Sequence, residues 1–316
     1  MERRYTARVH AFAVLALVAA VLGNGELVVI DTSVPRALRS MPLPGRGVAV
    51  FAAPDGRWLV PLEGSDETAV VAAGGAIERW KGRLFPLFFD EADRLHTVMP
   101  GLVATLSYPE RVLIGRTPVP ALQGARRSAC SRDGRVVAAI VPEPAPGSLV
   151  VAAAGGLRTS SVLPLQTEAT SVTVAPAGQW AGVGLAAGGV GVVAFGAESF
   201  GGTVTLAGPV HGVAAADDGA LVLAGIEIGT AGALVGLRVD PSKKQPVVEK
   251  FATPTERPVR ALATAGEEVV ALAGDLVLVF ERDGRRLRGR LEVAGARGVA
   301  IGFEKVRSVA PQWSEP

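Results

Sequence analysis

A short phrase recurs along this chain about every forty residues: a run of small and apolar residues, a turn built on Asp or Gly, and a second apolar run. Gly47 to Ala53 leads through Asp55-Gly56 into Trp58, and Ser128 to Ser131 leads through Asp133-Gly134 into Val136. Gly212 to Ala216 leads through Asp218-Gly219 into Leu221, and Ala261 to Ala265 leads through Gly266 into Val269. Similar phrases begin at Leu84, Ser171 and Gly298. Asp-Gly pairs suit tight hairpins because both residues accept the backbone angles such turns require. Two further strand-like runs follow each phrase, as Ala233 to Val239 and Pro246 to Phe251 follow Gly219. No stretch of helical periodicity interrupts the pattern.

Four short strands per forty residues describe one blade of a β-propeller. The chain ends support a closed ring. The phrase at Gly298 is followed only by Val306 to Val309, so the last blade has two strands. Glu26 to Asp31 and Arg36 to Met41 stand before the first phrase without partners. The sequence therefore predicts an all-β, seven-bladed β-propeller over residues 26–316, its last blade completed by both termini. Closure of this kind hides the edges that an open stack would expose. Gly, Ala and Ser crowd the innermost runs, as expected where strands converge on a narrow axis. Aromatic residues make up only 5% of the chain.

The first residues are of another kind. Arg3, Arg4 and Arg8 precede an apolar run from Ala11 to Leu22, which ends at Gly23 and Gly25. A basic head, a dozen apolar residues and a small-residue exit predict a secretory signal peptide over residues 1–25, and hence a periplasmic or extracellular protein. An uncleaved N-terminal anchor is the alternative, although the run is shorter than the ~20 residues of a membrane span. Lys and Arg total 32 against 30 Asp and Glu. Removing residues 1–25 takes away Glu2, Arg3, Arg4 and Arg8, which balances the two signs and removes the electrostatic footprint of nucleic-acid binding.

Leu27-Val-Val-Ile-Asp31, Ser40-Met-Pro-Leu-Pro44, Arg46-Gly-Val-Ala49 and Pro54-Asp-Gly-Arg-Trp58 together resemble the YVTN-type β-propeller repeat, a WD-repeat-like family. Val239-Asp240 echoes Ile30-Asp31. The resemblance implies the propeller fold and frequent export. Its members include surface-layer proteins, propeller subunits like those of amine dehydrogenases, and sugar lactonases, so it leaves function open.

Catalytic motifs are absent from the sequence: there is no Gly-x-Ser-x-Gly elbow, no P-loop and no His-Glu-x-x-His. Cys130 is the single cysteine, which excludes an intramolecular disulfide, and no CxxCH is present to attach haem. His96 and His211 lie in different repeats, so no metal site and no cofactor is predicted. Acidic clusters at Asp90-Glu91-Asp93 and Glu63-Asp66-Glu67 read as solvated turns. Trp58 and Trp180 occupy equivalent places and read as packing between blades.

One slot stands out. At the start of the innermost strand Arg46, Arg83, Arg127, His211, Arg260 and Arg297 line up against one another, and only the repeat containing Ser171 breaks the series. In a propeller these side chains would ring one mouth of the central channel, where guanidinium groups focus positive potential and suit carboxylate or phosphate. Two roles fit the slot: binding an anionic ligand or an acidic protein segment, or pairing with turn carboxylates of neighbouring blades. The function expected is a non-catalytic binding or interaction module. A channel hydrolase or lactonase, or the propeller subunit of a periplasmic redox enzyme, are the rivals.

Overall fold

The computed structural model describes residues 14–305 apart from 34–35, 83, 85, 90–92, 132–133, 154–159, 198 and 244–246. Its strands form seven four-stranded antiparallel sheets. Six are blades of four consecutive strands: Phe51–Lys81, Pro86–Pro118, Arg127–Pro164, Ala169–Thr205, Val210–Thr255 and Val259–Glu292, called here the first to the sixth. The innermost strand comes first in each, and the chain works outward to the rim.

The expected architecture needs correction where the chain ends meet. A ring of seven like blades, the last assembled from two C-terminal and two N-terminal strands, does not form. Six blades are built from consecutive strands, and the remaining sheet takes one strand from the C-terminal side and three from the N-terminal side. Its order is Ala296–Lys305, Val14–Leu22, Glu26–Asp31, Arg36–Pro42. The apolar run predicted to direct export thus supplies the second strand of this closing sheet, pairing with Ala296–Lys305 and with Leu27–Asp31. The expected strand at 306–309 lies outside the described residues. Apolar composition alone does not say which partner a strand will take, and this pairing joins opposite ends of the sequence.

Both faces of each blade are buried, so the second and third strands are almost continuously apolar. Alternation along a strand sends neighbouring side chains to opposite sides. Val222 and Ala224 pack with Trp180 and Val190 of the fourth blade. Leu223 between them packs with Val269 and Phe280 of the sixth. Val270 and Val279 then meet Ala20 and Ile30 of the closing sheet, whose Leu27 and Val29 meet Trp58 and Val60 of the first blade. Trp80 joins the first blade to Phe89 and Tyr108 of the second. Val103 joins the second to Val137 of the third, and Val151 joins the third to Val183 of the fourth. Each blade is thereby held on two sides.

Small residues let the innermost strands approach. A Cβ on Gly212 would stand 3.4 Å from Cα of Ala261 in the next blade. Hydroxyls staple the strands: Thr264 Oγ1 donates to the carbonyl of Ala215 at 2.7 Å, and Thr170 Oγ1 to that of Val210 at 2.6 Å. Trp180 Nε1 donates to the carbonyl of Gly219 at 2.9 Å, tying the fourth blade to the turn of the fifth. Among the described residues no helix is long and apolar enough to cross a membrane.

Candidate functional site at the channel mouth

The innermost strands share an irregularity at their starts. The ladder skips Thr170 in the fourth blade, His211 in the fifth, Arg260 in the sixth and Arg297 in the closing sheet. Leu87 is skipped in the second. A β-bulge of this kind leaves one residue unpaired and re-aims its side chain, and bulges favour the rims of closed sheets. The bulge, repeated round the ring, is what collects this set of side chains at one mouth.

A cavity of about 700 Å3 opens there. Arg127, His211, Arg260 and Arg297, four of the six residues predicted from sequence, line it. Arg126 lines it too and was not predicted. Its N–H donates to the carbonyl of Ile140, the residue that Arg127 faces in register, so Arg126 holds the skipped place in the third blade. Arg127 is its neighbour. The signal in the sequence was the distance to the hairpin. Ser131, Ala175 and Ala216 each close the hairpin turn by accepting from the turn glycine, and the fifth residue upstream of each is Arg126, Thr170 or His211.

The same count from Ala53 in the first blade reaches Val48. The ladder there pairs Gly47 with Leu62 but Phe51 with Leu59, so the skip falls downstream of Arg46. Arg46 is exposed and does not line the cavity, while Val48 and Val50 do. The shared Arg-Gly-Val-Ala of residues 46–49 and 297–300 had suggested equivalence, but the bulge shifts the register. Arg83 lies outside the described residues, and the skipped residue of that blade is Leu87.

Carboxylates surround the cavity without lining it, among the described residues. Arg297 reaches Glu63 of the first blade at 3.5 Å, both side chains half exposed. His211 Nε2 lies 2.8 Å from Glu227 Oε2 on the neighbouring strand of its own blade. Of these two contacts, only Arg297–Glu63 is of the kind considered for the slot, a pairing with a carboxylate of a neighbouring blade; the partner of His211 lies within its own blade. Arg126 and Arg260 make no ion pair or side-chain hydrogen bond among the described residues. Loss of surrounding water pushes the Arg127 guanidinium below the usual arginine range, offset in part by Glu168. It stays charged at any physiological pH.

The third blade stands across the axis from the sixth blade and the closing sheet. Arg126 and Arg127 therefore approach the cavity from one side, and Arg260 and Arg297 from the other. Ser128, Thr170 and Ser171 add polar groups to the wall. An anion held in this space would meet guanidinium groups from both sides.

A second cavity of about 540 Å3 forms the far end of the channel, lined by Phe51, Thr173, Ala215, Asp217 and Thr264. Cys130 is half-buried there, one wall residue among many. His96 lies elsewhere, on the second strand of the second blade, bonded to Thr105 Oγ1 at 3.1 Å. Among the described residues no group of His, Cys, Asp and Glu could hold a metal ion.

The fold defines the class: a β-propeller, with WD40 propellers among its structural neighbours. The RRP9 WD40 repeats match at TM-score 0.67 and 13% identity, over 93% of this chain and 95% of that one. A Bacteroides uniformis protein proposed to be a 6-phosphogluconolactonase matches at TM-score 0.65 and 14% identity, over 91% and 99%. Kuenenia stuttgartiensis hydrazine synthase matches at TM-score 0.62 and 10% identity, over 83% of this chain and 96% of that one. At these identities the likeness is one of fold. No family model and no curated protein matches the sequence.

Proposed function

We propose that this chain is a binding propeller, of the YVTN type, which holds an anionic ligand or an acidic segment of a partner protein at its basic channel mouth. The observation that carries this reading is a cavity lined by Arg126, Arg127, Arg260 and Arg297 with no carboxylate in its described wall. Concave, low-dielectric surroundings strengthen the field of such a cluster, even in a chain whose total charge is near neutral.

The test is thermal stabilisation of the full chain by phosphate, by di- and tricarboxylates and by acidic sugars. A ligand at a hundred times its dissociation constant adds about 2.7 kcal/mol. Stabilisation in the parent and none in Arg126→Ala, Arg260→Ala supports the reading. No stabilisation by any anion, with no acidic peptide retained, sinks it.

A second reading rests on His211 and Glu227. A histidine held by a carboxylate beside arginines is an arrangement suited to a general base acting on water. The alternative is a hydrolase for an anionic lactone or ester, and turnover by the parent that is lost in His211→Gln would favour it.

Export to the periplasm or the cell exterior is part of the proposal, supported by Arg3, Arg4 and the apolar run to Leu22. It carries a structural demand, because cleavage near Gly25 would take Val14–Leu22 from between its two partner strands.

A further inference from the structure

The arginines of the channel mouth fall into two like pairs. Arg126 and Arg127 stand at the head of the third blade, and Arg260 and Arg297 at the heads of the sixth blade and the closing sheet. In a ring of seven sheets these places lie three sheets apart in either direction, so the pairs face each other across the axis. Within each pair one guanidinium has a carboxylate to answer it. Arg127 feels the charge of Glu168, and Arg297 reaches Glu63 at 3.5 Å. The other member of each pair has none: Arg126 and Arg260 line the cavity and make no ion pair or side-chain hydrogen bond among the described residues.

Two unanswered positive charges on opposite sides of one cavity set a requirement on what fills it. A guanidinium fork matches a carboxylate or phosphate group lying in its own plane, so forks approaching from opposite sides are best met by two anionic groups facing away from each other. Holding those two groups apart also lowers their mutual repulsion, which falls with distance. The cavity of about 700 Å3 has room for a molecule rather than a single ion. Between the basic mouth and the far end, Val50, Phe51, Leu262 and Val299 line both cavities. An aliphatic linker crossing the mouth would lie over these apolar side chains.

We infer, on the reading of this mouth as an anion site, that its ligand is a small molecule with two anionic groups at opposite ends of an aliphatic linker. One group is seated at Arg126 and the other at Arg260. Joining the two makes the second contact intramolecular. The gain is nil when the linker is too short to span the sites, greatest when its length matches the span, and smaller again beyond that. Binding therefore passes through an optimum as the linker lengthens, which attraction to a uniform positive field does not produce.

Calorimetric titration of the full chain at fixed ionic strength tests this, using the straight-chain dicarboxylates from malonate to sebacate, with sulfate as the dianion of a single centre. One of the intermediate dicarboxylates is expected to bind about tenfold more tightly than sulfate or malonate, with weaker binding by its shorter and longer neighbours. Arg126→Ala and Arg260→Ala should each erase the optimum, because either change leaves one end of the ligand without its partner. Affinity that does not vary with linker length overturns the inference and leaves the mouth an anion site. An optimum that persists in either variant overturns it in the same way. No binding of sulfate or of any dicarboxylate overturns it together with the reading of the mouth as an anion site. The length series in the parent stands by itself even if a variant folds poorly.

Discussion

His211 Nε2 donates to Glu227 Oε2 at 2.8 Å, joining the bulged residue of the fifth blade to a carboxylate on the adjacent strand just outside the basic cavity. The pair sets a negative charge close behind the mouth. Glu227→Gln keeps the shape and removes that charge, so phosphate affinity at low salt should rise about threefold, and the gain should vanish as salt increases. Titration calorimetry at two ionic strengths reads this directly. Under the hydrolase alternative the same variant would instead lose turnover.

The bulge register brings in an arginine outside the aligned slot and leaves out one that the slot included. Arg126 lines the cavity, whereas Arg46 is exposed outside it. Arg126→Ala should weaken anion binding about tenfold, the loss of one charge-assisted contact. Arg46→Ala should leave affinity unchanged. Equal losses in both variants would mean that only the overall field matters.

Blade spacing rests on residues without side chains. A Cβ on Gly225 would stand 2.8 Å from the carbonyl oxygen of Val259 in the next blade, a backbone atom that cannot swing aside. Gly225→Ala should cost about 1–3 kcal/mol, seen as a melting point lower by several degrees.

Tyr108 gives the fold an alkaline limit. Burial, then the Asp55 carboxylate that accepts its hydroxyl at 3.0 Å, raise the phenol above the ordinary tyrosine range, with Arg57 opposing. The folded chain keeps this proton where the unfolded chain releases it. The stabilisation is complete below the unfolded value of about 10 and falls as pH rises beyond it. Tyr108→Phe should lose about 1 kcal/mol at neutral pH and show a shallower decline above pH 10 in denaturant titrations.

The closing sheet sets a condition on any N-terminal processing. A chain beginning at Glu26 lacks the strand between Ala296–Lys305 and Glu26–Asp31, and loses the packing of Ala20 and Leu22 against Val270 and Val279. It should be less stable by several kcal/mol, on the order of 10 °C in melting temperature. Equal melting of the two chains would show that residues 1–25 are dispensable to the ring.

Much of the architecture was written locally. Hairpin turns such as Ala216 to Leu221 are short-range structures, fixed by Asp and Gly a few residues apart. Alternation such as Val222-Leu223-Ala224 announces a strand buried on both faces. Trp180 was legible as a packing residue because a large ring in a small-residue chain has few places to go. Arg127, His211, Arg260 and Arg297 could be grouped because each stands at the head of an innermost strand.

What the sequence left open depends on contacts between distant residues. Val14–Leu22 has the composition of an export segment and of a buried strand alike, and only pairing with Ala296–Lys305 distinguishes the strand. Arg46 and Arg126 exchanged places because a bulge is a property of two paired strands, and one strand alone does not reveal which residue its partner will skip. Glu227 came to the mouth through the pairing of its strand with that of His211. Local chemistry determined the turns, the strands and the basic character of one mouth. The tertiary register decided which side chains reach it and how the ends of the chain close the ring.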